Sequence, residues 1–185
     1  TPVTSGRSYP ARILGYDRAD DVALLQVRGI PRLRAVTIGS SARVRVGMPV
    51  LAIGNEAGQG GSPTVAPGVI SNLDRTIVAT DVSSGLNETL RGMMQTSADI
   101  RPGDSGGPLA GADGRVIGIN TAAGGNTVYS GYAIPIDQAM PIARQIAAGR
   151  QGARVQIGLP AFLGVLLPDS NSTSPQRQGR HDPHQ

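Results

Sequence analysis

The residues best suited to do chemistry are Pro102-Gly103-Asp104-Ser105-Gly106-Gly107-Pro108. A serine set between an aspartate and two glycines can sit on a tight turn with its hydroxyl exposed. The flanking glycines permit backbone angles that a side chain would forbid. Turned this tightly, the chain can aim the backbone N–H groups of Gly103 and Ser105 at one point. That would make a nucleophile beside an oxyanion hole, the equipment of acyl transfer, where a single donor is worth roughly 3 kcal/mol. The competing reading is a glycine-rich turn without chemistry. A bare Gly-x-Ser-x-Gly would not decide between them, but seven consecutive residues in one pattern favour the first.

A serine nucleophile needs a general base, most often histidine. Residues 1–180 contain none. His181 and His184 lie in a tail rich in Pro, Gln and Arg that has nothing to hold them near Ser105.

The elements that must position Ser105 read as short strands. Residues 8–16 and 22–27 form a strand pair across the polar turn Asp17-Arg18-Ala19-Asp20. Residues 43–53 read as strand, turn and strand around Gly47-Met48-Pro49, and 54–62 as a glycine-rich loop. Residues 63–73 and 76–82 read as a further pair, and 91–96 as the strand entering the serine loop. Asp113-Gly114 predicts a hairpin between 108–110 and 115–121. A strand at 129–134 leads to one helix, about 136–148, with Asp137 as its N-cap and Gly149 just past its end. Residues 168–185 have a composition that predicts disorder.

Composition bounds the remaining options. The 185 residues include 26 Gly, 14 Pro, one Phe, four Tyr and no Trp, so the core must be Val, Ile, Leu and Ala. The formal charge is +4 and all the basic residues are arginine, which suits either a GC-rich genome or a polyanion-binding surface. The arginines are scattered, with no basic helix and no aromatic platform, which argues against nucleic acid as a partner. No cysteine is present, so neither a disulfide nor a thiolate zinc site can form, and no ligand cluster implies a metal or cofactor. No apolar run approaches the roughly 20 residues that span a bilayer. The start on Thr1, within an expected hairpin, predicts a fragment of a longer protein.

Several short motifs occur in a telling order. They are Ser5-Gly6-Arg7-Ser8-Tyr9-Pro10-Ala11, Asp21-Val22-Ala23-Leu24-Leu25 and Gly47-Met48-Pro49-Val50-Leu51-Ala52-Ile53-Gly54-Asn55. Pro67-Gly68-Val69-Ile70-Ser71, the serine loop, Gly118-Ile119-Asn120-Thr121-Ala122 and Gly131-Tyr132-Ala133-Ile134-Pro135 follow. From about residue 5 to residue 165 the chain resembles the trypsin-like serine proteases of the chymotrypsin fold, in their bacterial HtrA-type branch.

The resemblance implies an all-β double barrel, its first barrel incomplete at the N-terminus, with one C-terminal helix. Residues 1–60 would be the remainder of the first barrel and 61–150 the second barrel with the helix. Residues 151–167 would be a linker or the start of a PDZ-like strand, the alternative being a strand that packs back on the second barrel. Ser105 becomes the nucleophile, Gly103 and Ser105 the oxyanion donors, and Asp21 the acid that orients the base, with Asp20 its nearest rival. The histidine would lie about ten residues before Thr1; the alternative is a chain without it that binds peptides and does not cut them. Asp99, six residues before Ser105, falls at the base of the family's specificity pocket. A carboxylate there would select Arg or Lys, where the branch usually has a small residue and an aliphatic preference. Otherwise Asp99 is a surface residue matched by Arg101. Thr121, Ala122 and Ala123 would offer the backbone edge on which an extended polypeptide substrate pairs. Asp104 departs from the asparagine common in this branch. The resemblance also implies an extracytoplasmic location, and leaves room for a homo-oligomer and an upstream membrane tether formed by segments outside this chain.

Overall fold

The computed structural model describes residues 9–30, 34–55, 62–80, 87–122 and 131–159. Alternating apolar residues and frequent turn glycines give β-strands with a single helix. Strands β1 (Ala11–Asp17) and β2 (Val22–Val27) form an antiparallel hairpin, from Ala11↔Val27 to Asp17↔Val22, with an irregularity between Ile13 and Gly15.

Six strands close into a barrel: β3 (Pro49–Gly54), β4 (Thr64–Thr80), β5 (Asn87–Thr96), β6 (Pro108–Gly111), β7 (Val116–Ala122) and β8 (Gly131–Pro135). They pair in the order β3-β4-β5-β8-β7-β6. Closure removes the open sheet edges that would otherwise invite association. The barrel takes in β3, which lies before the residue 61 expected to open it. Helix α1 (Ile136–Ala147) follows β8 directly, and β9 (Val155–Ile157) returns to pair with β1, making a three-stranded sheet β2-β1-β9.

Two apolar clusters hold these parts. Inside the barrel, Val50, Ala52, Ile70, Met94, Leu109, Ile117 and Ala133 are buried together. A second cluster joins the small sheet, the barrel and the helix through Val22, Leu90, Met93, Ile134, Ile142, Ile146 and Val155. The core is aliphatic, as the composition requires, with Met93 and Met94 added to Val, Ile, Leu and Ala. Burying one such side chain contributes about 1.5–3 kcal/mol.

Three local expectations differ from the structure. Residues 43–46 alternate like a strand but form turns, closed by Val44 N–H to the Ser41 carbonyl and Met48 N–H to the Arg45 carbonyl. The two strands expected over 63–82 are one, β4, kept continuous by register shifts between Ile70 and Ile77 around Asp74, whose φ is 54°. Asp137 is not the N-cap; Pro135 is, and it has no side chain that can accept. The hydroxyl of Ser41, from a distant loop, instead accepts the Asp137 N–H at 3.1 Å. Of the apolar run from Val155, residues 155–157 form a strand on the small sheet. Gly149 does end the helix as read, with φ 65°. Residues 160–185, including the expected tail, lie outside the described residues.

Candidate active site

Ser105 sits between β5 and β6 on the second of two successive turns. The first runs from Arg101 to Asp104, closed by the Asp104 N–H to the Arg101 carbonyl at 2.9 Å. Pro102 and Gly103 fill its centre, and Gly103 has φ 99°. The second runs from Asp104 to Gly107, closed at 3.0 Å, with Ser105 and Gly106 central and Gly106 at φ 82°. A positive φ at the third residue is the mark of a type II turn, which only glycine adopts cheaply. Ser105 thus occupies the second position of a tight turn and is exposed.

The loop is fastened from below by β7. The Gly106 N–H donates to the Asn120 carbonyl at 2.8 Å, and the Asn120 N–H donates to the Gly107 carbonyl at 2.7 Å. The Asn120 side-chain amide donates to the carbonyls of Ile53 at 3.1 Å and Pro108 at 3.3 Å, joining β3 and β6 beneath the serine. A side chain on Gly107 would collide with the backbone carbonyl oxygen of Ile53, so this strand crossing admits no Cβ.

Asp104, only 5% exposed, braces the loop from the other side. One carboxylate oxygen accepts from the Thr64 hydroxyl at 2.7 Å and the other from the Arg101 N–H at 3.0 Å. Gly54 lies against this carboxylate, and a Cβ there would overlap it. The sequence marks Asp104 as unusual but does not name its partner. Thr64 carries no local signal, since it is brought in by the β3–β4 pairing. Asn120 lies within a quoted motif, but its role depends on the barrel register.

Asp21 ends the turn between β1 and β2 and has a left-handed φ of 52°. Its N–H donates to the Arg18 carbonyl at 3.2 Å. With Tyr16, Asp17, Arg18, Val22, Ala23 and Glu88 it lines a cavity of about 270 Å³, and Ser105 is not part of that lining. Its rival Asp20 is engaged elsewhere, by the Gln138 side chain at 2.8 Å and by the Arg154 guanidinium.

Asp99 lies in the same loop as Ser105, half-exposed, and pairs with the Arg101 guanidinium at 2.7 Å. Thr121 and Ala122 lie on β7, paired to Tyr132 and Gly131 of β8 on one side. Strand β6 pairs with β7 only as far as Ile119, so among the described residues no strand covers the other edge at Thr121 and Ala122. Ala123 lies outside the described residues. Among the described residues no group of three or more His, Cys, Asp or Glu is placed to hold a metal ion.

A model of the trypsin-like peptidase domain matches residues 2–119. The serine protease PepD of Mycobacterium tuberculosis is 35% identical over 166 residues, covering 84% of this chain and 35% of that protein. The periplasmic pH-dependent serine endoprotease DegQ of Escherichia coli is 39% identical over 148 residues, covering 78% of this chain and 30% of that one. Among solved structures, the HtrA-type protease AlgW with a decapeptide superimposes with a TM-score of 0.66 at 36% identity, covering 78% of this chain and 42% of AlgW. The chain spans about a third of the length of the curated relatives it matches.

Proposed function

This chain belongs to the trypsin-like peptidase domain family, and from that premise we propose that it is the nucleophile-bearing part of a serine endopeptidase of the HtrA type. Ser105 attacks the scissile carbonyl of an extended polypeptide, and the Gly103 and Ser105 N–H groups stabilise the oxyanion. Asp21 accepts the ring N–H of a histidine, fixes its tautomer and stabilises the imidazolium formed when Ser105 gives up its proton. Residues 1–180 contain no histidine. The substrate backbone pairs along the edge of Thr121 to Ala123. Asp99 sits in the pocket for the residue before the scissile bond, its charge already met by Arg101. The location is extracytoplasmic, which the periplasmic relative supports.

The observation that carries this reading is the placement of Ser105 at the second position of a turn flanked by Gly103 and Gly106, both at positive φ. An activity assay tests it. The 185 residues alone hydrolyse peptides at background, because residues 1–180 contain no histidine to act as the general base. Strong turnover by this chain, abolished in Ser105→Ala, contradicts the assigned base.

A second reading is a peptide-binding domain on the same fold, favoured by the β7 edge at Thr121 and Ala122 that no strand covers among the described residues. It predicts that the full-length gene product binds extended peptides and leaves them intact.

A further inference from the structure

The turn that presents Asp21 is held both from within and from outside. Asp21 holds a left-handed φ of 52°, an angle that aspartate reaches more readily than most residues because its side chain can hydrogen-bond locally, so the groups around the turn set how firmly it stays there. Three carboxylates crowd the turn: Asp17, Asp20 and Asp21. Glu88 and Arg18 line the same cavity as Asp21. Asp17, 2% exposed, organises the turn from within, accepting from the N–H groups of Ala19 at 3.0 Å and Asp20 at 3.3 Å.

The outer grip comes from helix α1 and the residue before β9. Arg154 reaches both neighbouring carboxylates: its guanidinium binds Asp20, and its Nε lies 3.5 Å from Asp17. Gln138 of α1 holds the other oxygen of Asp20 at 2.8 Å. The placement of Arg154 follows from register. Strand β9 begins at Val155, which pairs with Asp17 at the end of β1. Zipping β9 onto β1 therefore delivers the arginine to the turn.

Resting on the role proposed for Asp21, we infer that Arg154 is a positioning residue for the orienting acid, with Gln138 as its second support. An isolated exposed ion pair would be worth little. This one differs because one cation bridges two carboxylates, one of them buried, directly before a residue in a left-handed backbone conformation. Without it, like charges on one turn repel and Asp21 relaxes toward an ordinary backbone angle. The segment beyond the barrel thereby controls the geometry of the acid.

Amide hydrogen exchange on this chain tests the grip. Arg154→Gln speeds exchange at Asp21 and Val22 about tenfold or more while the amides of β5 and β7 hold their rates, and Arg154→Lys restores part of the protection. Unchanged rates at Asp21 and Val22, or equal acceleration everywhere, overturn the inference. In the full-length gene product, Arg154→Gln lowers kcat about 10- to 100-fold with KM unchanged. An unaltered kcat in Arg154→Gln, where Asp21→Ala abolishes turnover, also overturns it. If Asp21→Ala leaves turnover intact, the catalytic assignment of Asp21 fails, and the exchange rates alone decide whether Arg154 holds the turn.

Discussion

The buried carboxylate of Asp104 accepts a hydrogen bond from the hydroxyl of Thr64, 2.7 Å away across 40 residues of sequence. Thr64 opens β4, and Asp104 immediately precedes Ser105, so this bond ties the serine loop to the barrel wall. Removing one partner of a buried polar pair costs about 1–3 kcal/mol. Asp104→Ala also frees the Arg101 N–H and should destabilise more than Thr64→Val. Denaturant unfolding of the two variants gives the order; equal stability of Asp104→Ala and wild type would deny the brace.

Gly107 meets backbone where a side chain would go. The Ile53 carbonyl oxygen stands in the place of its Cβ, and backbone gives way less readily than a flexible side chain. Gly107→Ala should cost about 1–3 kcal/mol from overpacking. Its thermal midpoint should fall, whereas Gly114→Ala, in open space at the β6–β7 hairpin, carries only the penalty of its φ of 73°.

One acid should report on the link between helix α1 and the loop before β3. The Ser40 hydroxyl, followed by the Ala42 and Ser41 groups, holds the Asp137 carboxyl below its ordinary value. Ser40 donates at 2.7 Å and the Ala42 N–H at 2.9 Å, and the helix N-terminus adds favourable charge. A lowered folded value means that this contribution is complete above the unfolded carboxylate value of about 3.9 and fades as pH falls through the folded one. Carbon NMR titration should place Asp137 below the ordinary aspartate value, and Ser40→Ala should move it back up. An unmoved titration would remove Ser40 as the principal cause.

Specificity turns on whether Asp99 keeps its arginine. While the Asp99–Arg101 pair holds, its carboxylate is occupied, and cleavage should follow small aliphatic residues. Arg101→Ala then releases the carboxylate and should raise the relative rate after Arg or Lys. A peptide library scored before and after that substitution in the full-length gene product checks this. Cleavage after Arg by the unaltered enzyme would show that the Arg101 pair leaves the Asp99 carboxylate available to substrate.

Much of this arrangement was readable from local chemistry. Asp113-Gly114 marks a tight hairpin, Gly149 ends a helix, and Gly103 and Gly106 announce turns around Ser105, because each of these features depends on the angles of one residue. The supports were not readable. Thr64, Asn120 and Arg154 act through partners brought near only when the barrel closes and β9 joins β1, and a lone hydroxyl or guanidinium carries no trace of that in its neighbours. Asp137 shows the same limit. Its position suits an N-cap by local pattern, yet Ser41 takes an N–H of that first turn because the tertiary fold places a hydroxyl there.

The most direct test of the central claim is to treat the full-length gene product with a fluorophosphonate and map the adduct by mass spectrometry. The account predicts one dominant adduct on Ser105, parallel loss of proteolysis, and labelling slowed about 10²-fold or more in Asp21→Ala. Proteolysis that survives Ser105→Ala, or a folded protein that takes no adduct on Ser105, would contradict it.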